Sequence, residues 1–158
     1  MAIRAKRRST RWSVLPALSV DGFLPGLECV IEGSVTAHVF ESWLRTYLLP
    51  AMNAYPAPRS VLVMDNCSTH RRDEVKALCA EHGVLPLWLP PYSPDYNPIE
   101  LTFHLLKQWM KRHRDEAPEY GEEDYGVKFE EFLQRACREF GEGVDFKQLY
   151  ARCHVEAS

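Results

Sequence analysis

A chain of 158 residues suits one domain and is long enough to bury a real core. Its 46% hydrophobic and 26% charged residues are the proportions of an ordinary globular protein, which excludes collagen-like and low-complexity classes without indicating a function. The net charge of −3 hides an asymmetry, because Arg4, Lys6, Arg7, Arg8 and Arg11 place five positive charges in the first eleven residues and leave −8 elsewhere.

Such a basic arm over residues 1–10 suits nucleic acid phosphates; a solvated terminus explains it equally, and an Arg-rich, acid-free start also has the composition of an organellar transit peptide. No apolar run reaches the ~20 residues of a membrane helix, and no signal-peptide core follows the N-terminus. An intracellular protein with no membrane partner is expected, nuclear if its source is eukaryotic. The five cysteines, Cys29, Cys67, Cys79, Cys137 and Cys153, are odd in number and show no CxxC pair. That usage points to reduced thiols and no structural zinc.

Residues 11–20 alternate in part, with Trp12, Val14, Leu18 and Val20 on one face, so a strand is predicted there. Asp21-Gly22 reads as a hairpin turn into a second strand over Leu27–Glu32. From Thr36 the period lengthens: Phe40, Trp43, Leu44, Tyr47 and Leu48 predict one helix that stops at Pro50. Val61–Met64 is a continuous apolar run, the pattern of a strand covered on both faces. Arg71–His82 is predicted helical, ending at Gly83, and Val84–Leu89 is a further strand that Pro86 confines to an edge or a strand start. Strand, helix and strand at this spacing form a parallel unit. A long helix follows from Pro98 to His113, then an acidic linker over 114–127, then two amphipathic helices, Lys128–Phe140 and Phe146–His154.

Two carboxylates stand where chemistry would be expected. Asp65 closes a predicted strand, and the carboxyl ends of strands in open α/β sheets are where ligands bind. Glu100 lies in the first turn of the long helix, with 34 residues between the two. Acids from separate elements can share Mg²⁺, which takes carboxylates, waters and substrate phosphates. Each also has a plainer explanation. Asn97-Pro98-Ile99-Glu100 is a good helix start, with Asn as cap, Pro at the first position and Glu where a capping box needs it. Along that helix Glu100, His104, Lys107, Lys111 and Arg114 share one face, beside an apolar stripe of Ile99, Phe103, Leu106 and Met110. The basic row suits a DNA backbone track or a solvated face.

Asp65-Asn66-Cys67-Ser68-Thr69-His70 resembles the D-N-x-x-x-H segment of mariner-like DDE transposases, and Leu89–Glu100 (LPPYSPDYNPIE) is very similar to that family's L-P-P-Y-S-P-x-x-N-P-I-E signature. With the hairpin, the first helix and Leu106-Lys107, the resemblance covers roughly residues 11–113. It implies an α/β, RNase H-like mixed sheet flanked by helices and two-metal phosphoryl transfer on DNA ends. Asp65 and Glu100 would be the second and third catalytic acids and ligands of Mg²⁺ or Mn²⁺, weakly held. Asn66 and His70 would orient them, and Lys6, Arg7, Arg8, His104, Lys107 and Lys111 would contact DNA. Self-association stays open.

The family's first catalytic Asp lies on the first, central strand of the sheet, upstream of the hairpin. Met1–Thr10 contains no acid, and Asp21 is explained by its turn. The expected organisation is therefore a basic arm (1–10), a transposase core remnant lacking its first central strand (11–113), the linker (114–127) and C-terminal helices (128–158). The polypeptide alone is expected to be inactive: a remnant, a late-starting gene model or one exon of a transposase. The alternatives are a missing acid supplied by another chain or an upstream exon, and a co-opted, non-enzymatic module that binds nucleic acid or protein.

Overall fold

The computed structural model describes residues 2–4, 10–66, 72–91 and 93–153. They are mixed α/β, with strands in sheets of three, two and two, and the chain divides into two compact units. One unit comprises residues 1–34 and 98–149, the other residues 35–97 and 150–158.

In the first unit, β2 (Arg11–Leu15) is the middle strand of an antiparallel sheet, between β1 (Ala2–Arg4) and β5 (Cys29–Glu32). Its register with β5 runs from Trp12↔Glu32 to Leu15↔Cys29. Part of the segment read as a basic arm is thus a strand beside β2, since β1 pairs with it from Ala2↔Ser13 to Arg4↔Arg11. β2 is also shorter than the alternation suggests. Pro16 has no N–H for the ladder, so β2 stops at Leu15. A separate two-residue hairpin follows, β3 (Leu18–Ser19) with β4 (Gly22–Phe23). Its turn residues are Val20 and Asp21, one position before the predicted Asp21-Gly22. Gly22 already belongs to the return strand, at φ 114°, and a Cβ there would lie 3.1 Å from the Phe146 ring, so only glycine suits the position.

The core of this unit is aromatic. Trp12 packs on Phe129 with ring centres 5.6 Å apart, Trp109 on Phe132 at 5.8 Å and Phe23 on Phe140 at 4.6 Å. These rings join the sheet and the small hairpin to α3 (Pro98–Arg112) and α4 (Tyr125–Glu139). Arg135 of α4 lies over the Trp109 ring and also binds Glu116 at 2.6 Å and Glu139 at 3.0 Å. The apolar stripe of α3 is rotated from the predicted one. Pro98, Thr102, Leu106 and Trp109 are buried, whereas Ile99, Phe103 and Met110 are half-buried. Thr102 turns inward because its hydroxyl donates to the Ile99 carbonyl at 2.7 Å, which satisfies it locally, and Trp109 follows on the same face.

Burial pushes the Cys137 thiol up to about 12 and that of Cys79, in the other unit, to about 11. An unfolded thiol ionises near pH 8.5. The sign follows from linkage: above that pH the unfolded chain releases protons that the folded chain retains, so stability is complete below it and declines towards pH 11–12. A falling unfolding midpoint over that alkaline window is expected, and Cys137→Ala should flatten part of the decline in urea titrations at several pH values.

In the second unit, Thr36 caps α1 (Ala37–Trp43) by accepting from the Val39 N–H at 3.2 Å. The predicted single helix then widens into a π-helical turn over Leu44–Leu48 and tightens into a 3₁₀ turn over Leu49–Ala51. Pro50 is the physical reason, since it offers no N–H and its ring displaces the carbonyl four residues back. The extra residue in the wide turn buries Leu48 and Leu49 and leaves Tyr47 exposed.

β6 (Val61–Met64) and β7 (Leu85–Trp88) pair in parallel, Val61↔Leu85 through Met64↔Trp88, with α2 (Arg72–Glu81) between them in sequence. Gly83, at φ 69° and with the Ala54 Cβ only 2.9 Å from where its own would stand, ends the turn after α2. The Leu85 N–H donates to Ser60 and the Leu89 N–H to Met64, so Pro86 faces away from β6. Of the two positions that Pro86 allows, an edge or a strand start, β7 has the edge one among the described residues, with β6 as its single strand neighbour. Coverage of β6 on both faces is not observed among the described residues. Met64 is buried, but Val61, Val63, Leu85 and Leu87 are 37–48% exposed on one face. β6 has a single strand neighbour among the described residues, and α2 packs Val75 and Leu78 into the interior on one side only.

Candidate active site

Asp65 follows the last residue of β6 and is exposed, as is Asn66 beside it. The carboxylate therefore avoids the desolvation cost that a fully covered strand would impose. The local reason for its place is the abrupt end of the VLVM run: Met64 is the last inward side chain, and the chain leaves the ladder at Asp65. His70 lies outside the described residues.

Around this strand end the structure gathers groups that no sequence pattern singles out. Trp88 pairs in register with Met64, one residue before Asp65. The Arg72 guanidinium carbon lies 5.4 Å from the Trp88 ring centre and the Lys76 Nζ 5.6 Å from it. Arg72 also donates from Nη2 to the Asn66 Oδ1. The one signal available in the sequence was the i, i+4 spacing of Arg72 and Lys76, which puts them on the same side of a helix.

Glu100 is exposed in the first turn of α3, two residues after Pro98 at the helix start. A proline at that position costs no hydrogen bond and fixes the backbone for the helix, which is why the turn begins there. His104, Lys107 and Lys111 are exposed along α3, and Arg114 just beyond it. The His104 ring shares a hydrogen bond with Gln108 at 2.8 Å, and Arg114 pairs with Asp115 at 3.4 Å. The face predicted as a basic row is thus solvent-facing. Lys6, Arg7 and Arg8 lie outside the described residues.

Among the described residues no group of three or more His, Cys, Asp and Glu side chains is arranged to hold a metal ion. The carboxylates of Asp65 and of Glu100 are each hard oxygen donors of the kind Mg²⁺ takes. Cys29, Cys79, Cys137 and Cys153 are free thiols. No helix among the described residues is long and apolar enough to cross a membrane.

The family model of the DDE superfamily endonucleases matches residues 1–119, which include β1 through α3 and both carboxylates. The chain belongs to this family. A search of curated proteins finds no match. Membership of the DDE superfamily endonucleases brings a transposase-type nuclease domain, DNA as the general substrate and divalent metals as the general cofactor. The helices and small sheets described above are consistent with such a domain.

Proposed function

We propose that this DDE superfamily endonuclease domain uses Asp65 and Glu100 as two of the acids of a two-metal phosphoryl-transfer centre on DNA, of the mariner-like transposase type. The observation that carries the reading is the pairing of position and motif. Asp65 leaves the end of β6 and Glu100 opens α3, both exposed, and each ends or begins a stretch matching the family signature.

Bound divalent ions would supply the Lewis acidity that activates water or a 3′-hydroxyl and stabilises the leaving oxygen. The role of the protein residues is narrower. Asp65 and Glu100 would offer carboxylate oxygens as ligands, and Asn66, tied to Arg72, would hold the strand end in place. His70 is proposed as a further orienting group. His104, Lys107 and Lys111, with Lys6, Arg7 and Arg8 of the arm, would contact the phosphate backbone, giving DNA affinity that is blind to sequence and falls steeply with salt. The RNase H-like arrangement is proposed with a further strand beside β6, which has one strand neighbour among the described residues.

Mn²⁺ titration of isotope-labelled protein tests the shared site. Paramagnetic broadening is expected at the amides near both Asp65 and Glu100, and Asp65→Asn or Glu100→Gln should remove it at both segments. Broadening confined to one segment would overturn a common centre.

A further inference from the structure

The cluster on Trp88 gathers two cations around one ring. Arg45, Arg114, Lys128 and Arg135 each have a carboxylate partner within 4.0 Å. Arg72 and Lys76 have none among the described residues, yet both are held within 6 Å of one ring centre. Two like charges four residues apart on a helix repel each other. The negative face of the indole draws both in nonetheless, so the protein fixes two exposed cations in one place rather than leaving them to sweep through solvent. The indole N–H is buried and has no acceptor among the described residues, so it is the ring face that organises the pair. Glu74 of the same helix lines a cleft with His38, Glu41 and Arg45. The location is equally specific. Trp88 is opposite Met64, which precedes Asp65, and Arg72 holds the side chain of Asn66, which follows it.

We propose that Arg72 and Lys76, held over the Trp88 ring, grip backbone phosphates of the DNA strand presented to Asp65, an assignment that rests on the DNA-cleaving site proposed above. The ligand chemistry is that of a phosphodiester anion: two cations spaced along one helix face, held where a negatively charged backbone can meet both. The grip positions the strand and carries no sequence information.

The test is the salt dependence of binding by the full 158-residue chain to a labelled duplex of arbitrary sequence, by fluorescence anisotropy in EDTA from about 50 to 200 mM salt. The double variant R72Q/K76Q is expected to bind more weakly, with a slope of log K against log salt shallower by about 1 to 2, since each phosphate contact contributes roughly 0.9. The charge-preserving R72K/K76R should keep most of the slope. R138Q/K147Q removes two exposed cations from α4 and α5 (Phe146–Arg152) and should leave the slope as it is. No DNA affinity in the parent chain, an unchanged slope in R72Q/K76Q, or an equal loss in R138Q/K147Q would each overturn the grip. Because the assay contains no metal, it separates the two claims. An unchanged slope alongside intact Mn²⁺ broadening removes the grip alone, and a shallower slope without Mn²⁺ broadening removes the metal centre and leaves the grip.

Discussion

Leu106→Ala is expected to destabilise the protein by about 2–5 kcal/mol, the range for truncating a fully buried leucine to alanine. Leu106 has no exposed surface and lies on the buried side of α3 with Trp109, in the same core as Trp12, Phe129, Phe132 and Leu133. Shortening it leaves a cavity among rings that are already held by neighbours. Trp109 is fixed on one side by Phe132 and on another by the Arg135 guanidinium, which is itself tied to Glu116 and Glu139, so little can collapse inward. Rigid surroundings put the cost towards the upper part of the range. Domains are typically stable by only about 5–15 kcal/mol, so the loss is a large fraction of the margin. For a chain of this size each kcal/mol moves Tm by roughly 2–4 °C, giving a fall of roughly 4 to 20 °C in a calorimetric or circular-dichroism melt. Lys107→Ala, one position on and exposed, should change stability by less than about 0.5 kcal/mol. A Leu106→Ala melt within a degree of the parent would mean that α3 is not anchored by this core. The helix start that carries Glu100 depends on that anchorage, because eight residues from Pro98 reach the first deeply buried leucine of the stripe.

The features that were legible in the sequence are those set within a few residues. Asp65 at a strand end and Glu100 in a first helical turn follow from where an apolar run breaks and where a proline stands. The pairing of Arg11–Leu15 with Cys29–Glu32 follows from alternation, and the edge position of β7 is one of the two that Pro86 allows. The features that were not legible depend on what lies opposite. Periodicity assigns Val61–Met64 a strand but cannot say whether a second layer covers Val61 and Val63, which are exposed. It placed Ile99, Phe103 and Met110 on the apolar stripe of α3. The large neighbour Trp109 and a threonine satisfied by its own helix carbonyl turned the buried face by about one position instead. The π-helical turn at Leu44–Leu48 likewise reflects Pro50 acting on the turn before it, an effect that spacing rules for a uniform helix leave out. The Trp88 cluster joins residues from α2, β7 and the end of β6, and only the fold brings them together.

These 158 residues by themselves are expected to produce no detectable Mg²⁺- or Mn²⁺-dependent nicking of DNA. In-line phosphoryl transfer needs the attacking and the leaving oxygen stabilised at once, and removal of even one preorganised stabilising group typically costs 10²–10³-fold in rate. The centre proposed above draws on Asp65 and Glu100, and the first ten residues contain no carboxylate. Among the described residues no third His, Cys, Asp or Glu completes a metal-holding group. Two carboxylates can retain an ion that keeps most of its water, which is why Mn²⁺ broadening is expected even where turnover is not. A third ligand, from another segment or another chain, would be needed to complete the two-metal clamp. Supercoiled plasmid is the sensitive substrate, since a single nick converts it to the relaxed circle. The expected result is the same relaxed fraction with metal, with EDTA and with Glu100→Gln. Relaxation that needs Mg²⁺ or Mn²⁺ and disappears in Glu100→Gln would show that two acids suffice, and that the remaining ligand positions are filled by water and substrate oxygens.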